Sequence, residues 1–163
     1  MDPIQQEHLV EEELRAFMQA LWFDYSRLSS DVRLVLQYID SHLFEESLTV
    51  DDVLRQCHIR SHSFHARFKF ELLGGGWGRM SIWEYVQRRR VEAAKWLLRH
   101  EELELFLIAV SIGFKHYETF ARVFKRYTTK TPTAFRETQR RFVRAGRQGK
   151  SSEHIVRASR QGE

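Results

Sequence analysis

The sequence contains one cysteine, Cys57, and no apolar run close to the ~18 residues that a membrane-spanning helix needs. A single cysteine cannot form an intramolecular disulfide, so nothing indicates a protein of an oxidising compartment. The first residues are acidic, whereas a secretory signal peptide begins with positive charge. These absences argue against a secreted or membrane protein, and we expect a cytoplasmic one.

Signals of catalysis and nucleotide binding are missing as well. Glycines crowd residues 74–78, but no strand pattern precedes them and no Gly-Lys-Ser/Thr follows, as a phosphate-binding loop requires. No two carboxylates share a predicted face, and no helix N-terminus is expected beside Cys57 to activate its thiol. We therefore expect no enzymatic activity, no catalytic residue and no cofactor.

Cys57 and three nearby histidines raise the question of a metal site. His58 and His62 are four positions apart and His62 and His65 three, a spacing at which helical imidazoles can share a metal. However, a predicted turn separates His58 from His62, and Cys57 falls on the inward face. We expect no metal here.

Charge is distributed unevenly along the chain. The net charge is +4 and the pI about 9.4, which suits a polyanionic partner. Residues 1–30 contain six acids and two bases, whereas residues 122–163 contain twelve bases and three acids. The sequence therefore starts acidic and ends basic.

The clearest pattern in the sequence lies at about 105–127. Apolar residues recur at helical spacing up to Ile112, and Gly113 follows where the helix must stop, since glycine takes left-handed backbone without strain. Phe120 and Phe124 lie one turn apart and face back toward that helix. The pattern predicts a helix-turn-helix with a basic outer face, a device that commonly enters the DNA major groove.

An earlier segment, at about 49–73, repeats this pattern. Thr49 and Ser61 are predicted to cap its two helices. Phe64 and Phe68 stand 56 positions before the two phenylalanines of the later unit. Two such units could reach successive grooves on one face of a duplex.

A long helix is predicted between the units, over 81–98. Ser81 and Glu84 form the sequence of a capping box at its start. The run Arg88-Arg89-Arg90 interrupts its apolar face. Either one or two of these arginines reach phosphates, or the run is a solvated face with partial salt bridges.

Both ends of the chain lie outside this core. Residues 1–30 predict an amphipathic helix whose wide apolar stripe must be covered, either by its own domain or by a second copy or partner protein. Thr131 and Pro132 open a last helix. Residues 140–163 lose periodicity and are basic, so we expect a disordered tail.

The second unit resembles the C-terminal motif of AraC/XylS-type transcription regulators. The linker helix matches the same family at the expected spacing and the first unit matches it more loosely, so that the resemblance spans about 31–137, within a predicted domain of 31–139. It implies an all-α fold with two helix-turn-helix subdomains joined by a long central helix. The matching residues are Tyr85-Val86, Arg90-Val91, Ala94, Leu97-Leu98, Ile108-Ala109, Gly113-Phe114, Phe120, Arg122, Phe124-Lys125, Pro132 and Arg136.

What the resemblance implies is a sequence-specific regulator that reads double-stranded DNA at the nucleoid and activates transcription by contacting RNA polymerase. With about 30 residues before the domain, the chain resembles the short, single-domain members. The N-terminal helix would then serve a homodimer or a regulatory partner.

Family positions and helical periodicity select the same DNA-reading side chains. Arg122 could pair with guanine, although it could also tie helices together. Glu118 could accept from cytosine or stabilise a helix N-terminus. The full candidate set is Ser61, His62, His65, Ala66, Lys69, His116, Tyr117, Glu118, Ala121, Arg122, Lys125 and Arg126.

The first unit departs from the family pattern. Leu54 stands where a small residue like Ala109 is usual, and His58 stands where the second unit has Gly113. Ala66 replaces a residue able to hydrogen-bond a base, and residues 75–79 look like a five-residue insertion. This unit is therefore expected to be tilted or poor at reading bases. The alternative function is a protein-interaction adaptor or co-regulator that uses the N-terminal helix.

Overall fold

The computed structural model describes residues 1–21, 25–74, 76, 78–142 and 144–145. Throughout these residues the regular structure is helical and no strand occurs, which confirms the all-α prediction. None of the described helices is long and apolar enough to cross a bilayer. The helices are α1 (Pro3–Ala20), α2 (Ser30–Ser41), α3 (Val50–Gln56), α4 (Phe64–Gly74), α5 (Ile82–Leu97), α6 (Leu105–Ser111), α7 (Tyr117–Thr128) and α8 (132–142), with a short 3-10 turn at Tyr25–Arg27.

The central element is α5, which packs against both helix pairs, α3–α4 and α6–α7. Ten of its sixteen residues are buried, more than the single stripe of a surface helix. Tyr85 meets Phe68 of α4 edge to face, with ring centroids 6.5 Å apart. On the other side the Tyr127 hydroxyl of α7 donates to the Glu84 carbonyl at 3.4 Å. This helix therefore links the two helix-turn-helix units.

The start of α5 is the predicted capping box. The Ser81 hydroxyl accepts from the Glu84 amide at 3.2 Å, and the Glu84 carboxylate accepts from the Ser81 amide at 2.8 Å. At the start of α8, the Thr131 hydroxyl accepts from the Ala134 amide at 3.2 Å, and Pro132 is the first helical residue.

The last helix runs past the point where an irregular tail is expected to begin. Residues 140–142 are still helical. Phe135 anchors α8 on Phe124 with centroids 5.5 Å apart, and Arg140 lies 3.4 Å from Glu101, contacts that a scan for periodicity does not reveal. The remainder of the predicted tail, 146–163, lies outside the described residues.

The N-terminal helix α1 folds back onto its own domain, one of the two alternatives that its apolar stripe allows. Val10 and Phe17 are 2% and 4% exposed. The Phe17 ring meets that of Trp96 on α5, and the Gln6 side chain accepts from the Glu104 amide at 3.0 Å, directly before α6. Helix α1 therefore braces the linker helix and the second unit.

The arginine run of the linker helix corrects the interpretation of a solvated face. Arg89 and Arg90 are each only 2% exposed, and Arg88 is half-buried. Arg89 donates to the Tyr85 hydroxyl at 2.9 Å and lies 3.9 Å from Asp40 of α2. Because both subdomains surround α5, a charged run on it points inward as well as outward.

Candidate nucleic-acid interface

The turn of the second unit closes as its sequence predicts. Gly113 has φ +87°, the left-handed region. Its amide donates to the Val110 carbonyl at 3.0 Å, and the next amide, of Phe114, donates to the Ala109 carbonyl at 3.0 Å. These bonds end α6 and redirect the chain into α7.

Helix α7 separates an apolar inner face from a polar outer face. Phe120 and Phe124 are completely buried, and their rings pack 5.6 Å apart. Arg122 is exposed and makes no hydrogen bond or ion pair with another described residue, so no such bond supports a role in tying helices together. Of the other candidates, His116, Glu118, Lys125 and Arg126 are exposed, whereas Tyr117 and Ala121 are half-buried.

The turn of the first unit has the same backbone bonds. The His58 amide donates to the Arg55 carbonyl at 3.1 Å, and the Ile59 amide donates to the Leu54 carbonyl at 2.8 Å. His58 itself has φ +56°, so a histidine adopts the conformation that glycine has in the second unit. The departure at this position therefore leaves the backbone bonds of the turn unchanged.

Helix α4 begins later than expected, at Phe64. Ser61 is therefore not a helix cap: its hydroxyl lies 2.8 Å from that of Ser63, and it stays in the turn with His62. His65 and Ala66 lie on the exposed side of α4. The structure thus divides the first-unit candidates between the turn and the helix.

The outer face of α4 is less basic than that of α7. Lys69 is half-buried, and Arg67 forms ion pairs with Asp31 of α2 and, at 3.8 Å, with Glu71. The pKa of Asp31 is lowered by hydrogen bonds and by this guanidinium, although burial opposes them as the largest single influence. Positive charge on α4 is therefore partly neutralised within the first subdomain.

The two candidate reading helices approach the start of α5 from opposite subdomains. The pKa of Glu84 is lowered chiefly by its hydrogen bonds from Ser81, and further by the charges of Arg126 on α7 and Lys69 on α4. The Arg126 guanidinium lies 3.9 Å from this carboxylate. The positive charges of both units thus stabilise the ionised form of one carboxylate.

The cysteine and histidines of the first turn do not form a ligand set. Cys57 is 5% exposed, and burial raises the pKa of its thiol, which disfavours the thiolate that a metal requires. His58, His62 and His65 are exposed on the turn and helix that follow it. Across the described part of the chain, no group of three or more His, Cys, Asp or Glu side chains is placed to hold a metal.

Two exposed bases were missed by reasoning from the sequence. Arg60 follows the first turn and Lys115 follows the second, and both are exposed beside the candidate helices. They stand 55 positions apart, the spacing of the two repeats at their turns. The repeat in the sequence was therefore the signal that could have identified them as equivalent positions.

Comparison with known proteins gives a consistent result. The family described as "Helix-turn-helix domain" matches residues 75–138. The "Bifunctional transcriptional activator/DNA repair enzyme AdaA" of Bacillus subtilis is 33% identical over 106 residues, 65% of this chain and 47% of that protein. The "Regulatory protein SoxS" of Salmonella typhimurium is 27% identical over 105 residues, 64% of this chain and 92% of that protein. This chain therefore spans less than half of the first relative and most of the second.

Solved structures share the fold. The C-terminal domain of AraT, a response regulator from Geobacillus stearothermophilus, superposes with a TM-score of 0.61 at 29% identity, over 69% of this chain and 88% of that domain. The C-terminal domain of the response regulator yesN from Fusobacterium nucleatum gives 0.57 at 26% identity, over 66% of this chain and 99% of that domain. Residues 75–138 therefore match a helix-turn-helix domain, and the paired turns and central linker helix are similar to the C-terminal domains of these response regulators, in agreement with the resemblance to AraC/XylS-type transcription regulators.

Proposed function

We propose that the protein activates transcription by placing α4 and α7 in neighbouring major-groove segments of one duplex, about one helical turn or ~34 Å apart. The observation that carries the proposal is that α7 has a buried apolar face and an exposed polar face. Phe120 and Phe124 are fully buried, while Arg122 projects into solvent without a partner among the described residues. A rigid helix with a free guanidinium on its outer face is suited to reading bases.

The second unit supplies most of the sequence specificity in this proposal. Arg122 pairs with the O6 and N7 atoms of a guanine, a contact worth about 1–3 kcal/mol of discrimination. Lys125 and Arg126 contact phosphates on the same face. Glu118, in the first turn of α7, accepts from cytosine or stabilises the positive end of the helix.

The first unit contributes affinity more than discrimination. His62 and His65 can donate to bases, but Ala66 carries no hydrogen-bonding group at the position that corresponds to Arg122. Arg60 and Lys115, at the equivalent places after the two turns, contact phosphates and fix the register on the duplex.

Activation is supported by the relative from Bacillus subtilis, whose name describes a transcriptional activator. We propose that the activation proceeds through contact with RNA polymerase. We assign the protein no catalytic step. An adaptor that works through α1 is not favoured, because Val10 and Phe17 of that helix are buried against its own domain.

The test begins with DNA selected by the purified chain from random duplexes of about 24 base pairs, which leave room for two subsites one turn apart. Binding of the selected duplex and of a scrambled one is then measured by fluorescence anisotropy at several salt concentrations. Affinity should fall steeply with salt for both, because bound Lys and Arg release counterions, and the selected duplex should bind tighter. Enrichment of no sequence would overturn the proposal.

Arg122→Ala tests the reading role, with Arg15→Ala on α1 as the control, since Arg15 is also exposed. Arg122→Ala should weaken the selected duplex about 10–100-fold and the scrambled duplex far less, since one bidentate base contact is lost. Equal weakening on both duplexes would make Arg122 a phosphate contact. Arg15→Ala should bind both like the unaltered chain.

A further inference from the structure

Arg90 occupies the junction of the two subdomains. Its guanidinium is 2% exposed on α5 and donates three hydrogen bonds to backbone carbonyls. Nε donates to Leu43 at 2.9 Å, Nη2 to Glu45 at 2.8 Å and Nη1 to Gly113 at 2.8 Å. One side chain thus spans from the first subdomain to the turn of the second helix-turn-helix.

All three carbonyls lie just beyond the C-termini of helices. Leu43 and Glu45 follow α2, whose C-cap is His42, and Gly113 follows α6, whose C-cap is Ile112. The C-terminal end of a helix carries partial negative charge and unpaired carbonyls. A single guanidinium therefore binds the backbone just after one helix of each subdomain.

The site is fitted to the planar fork of arginine. A Cβ on Gly113 would lie 2.8 Å from both Cζ and Nη2 of Arg90, so the turn approaches as closely as the guanidinium allows. The Phe114 ring covers the group, with its centroid 5.7 Å from Cζ. Burial lowers the pKa of Arg90 to about 10, which still leaves it charged at neutral pH. A lysine could not satisfy three carbonyls in this arrangement.

We propose that Arg90 is a positioning residue that sets the distance and angle between the two recognition helices, and through them the spacing of the DNA subsites bound at once. The inference rests on the proposed two-site reading of DNA. Each carbonyl belongs to a backbone segment next to a recognition unit, so loss of the fork frees the units to move against each other. The linker helix alone fixes them less tightly, because Arg90 joins α5 both to the segment that follows α2 and to the turn that follows α6.

The neighbouring Arg89 provides a matched control. It is as buried as Arg90 and lies on the same helix, but its bonds to Tyr85 and Asp40 tie α5 to α2. A general effect of removing a buried arginine should appear in Arg89→Met and Arg90→Met alike. An effect on the relation between the two units should appear with Arg90 alone.

The first measurement needs no DNA and is therefore independent of the proposed function. Spin labels are attached at Ala66→Cys on α4 and Lys125→Cys on α7, in a Cys57→Ala background, and the distance between them is measured by pulsed electron paramagnetic resonance. One narrow distribution is expected for the otherwise unaltered chain and for Arg89→Met, and a broadened or shifted one for Arg90→Met. If Arg90→Met does not fold, Arg90→Lys is used, because it keeps the charge but cannot form the whole fork.

The second measurement uses the duplex selected by the unaltered chain, with one or two base pairs inserted between its subsites, and each subsite alone. Arg90→Met should lower the affinity for the two-subsite duplex about tenfold, because simultaneous binding of both subsites depends on the geometry of the two units. Its affinity for a single subsite should change less than about twofold. Its preference for the native spacing should also flatten. An unchanged distance distribution in a folded Arg90 variant, or an unchanged spacing preference, would overturn the positioning role. Absence of any DNA selection would instead count against the proposed function.

Discussion

The two helix-turn-helix turns are built from the same backbone hydrogen bonds but from different residues. In each, an amide bonds three residues back and the next amide bonds five residues back. The residue at the left-handed position is Gly113 in one and His58 in the other. The surroundings explain the difference, since a Cβ at Gly113 would meet Arg90 and the Phe44 carbonyl at 2.8–3.0 Å, whereas His58 is exposed.

The comparison teaches that backbone conformation alone does not require glycine. A left-handed histidine costs about 1–2 kcal/mol, which a well-packed domain can tolerate. Glycine becomes necessary where the turn must also press against Arg90. At the left-handed position, Gly113 thus lies against the buried centre of the molecule, whereas His58 is open to solvent.

The two units also differ in their supports. Arg90 holds the second unit through its hydrogen bond to Gly113. Helix α1 also supports this unit, because its Gln6 and Glu13 bind residues that precede α6. The first is held mainly by α2, with Ser29 bonded to Glu71 and Arg67 paired with Asp31. The unit that carries the stronger candidate reader is therefore also braced by α1.

Among the changes that test this difference in support, Phe17→Ala should lower stability the most. Phe17 is 4% exposed and packs on Trp96 and Phe44, so its loss should lower the free energy of unfolding by about 3–5 kcal/mol. Urea denaturation measures the loss, and hydrogen exchange should accelerate more in α6 than in α3. Ile4→Ala, at a 79% exposed site of the same helix, is the control and should change little.

A contrary result for Phe17 would reopen the other interpretation of α1. If Phe17→Ala left stability intact but converted a dimer to a monomer in sedimentation, the helix would serve a second copy. Equal acceleration of exchange in α3 and α6 would show that α1 braces both units.

Gly113→Ala should be next in size. Its methyl group would combine left-handed strain with a clash against the Arg90 guanidinium, for an expected loss of about 2–4 kcal/mol in the free energy of unfolding. The same alanine in the other turn, His58→Ala, should cost less than about 1 kcal/mol, since a side chain already occupies that conformation. Similar losses at the two turns would mean that crowding by Arg90 contributes nothing.

Local features of the fold follow from the sequence because their causes are local. Gly113 ends a helix, Ser81 and Glu84 begin one, and the phenylalanine pairs of both units are buried as their spacing predicts. The exposed faces of α4 and α7 follow from the same periodicity. A pattern of adjacent residues is enough wherever the partners are neighbours in the chain.

The roles of Arg89 and Arg90 could not be read in this way. The acceptors of Arg90 lie between 23 and 47 residues away, and they are backbone carbonyls, which no side-chain pattern marks. An arginine run on a helix looks the same whether water or two subdomains surround it. Only the packing of α5 between the units distinguishes the cases.

The reading faces give a smaller contrast. Replacing His62 and His65 together by alanine should relax base preference at the first subsite by less than about 1 kcal/mol, against the ~1–3 kcal/mol expected for Arg122→Ala at the second. Anisotropy titrations with duplexes mutated at one subsite or the other measure both. A larger loss from the histidines would make the first unit the principal reader.

His58→Gly should have the smallest effect and the opposite sign. Glycine removes about 1–2 kcal/mol of left-handed strain but adds about 0.5–1 kcal/mol of conformational entropy to the unfolded chain. The net expectation is a gain of about 0.5–1 kcal/mol in the free energy of unfolding, seen as a higher urea midpoint at unchanged slope. His58 is exposed, and the structure gives its side chain no hydrogen bond to another described residue, so no contact should be lost. A loss instead of a gain would show that the imidazole stabilises the first turn, and the two turns would then differ in their side-chain contacts as well as in their crowding.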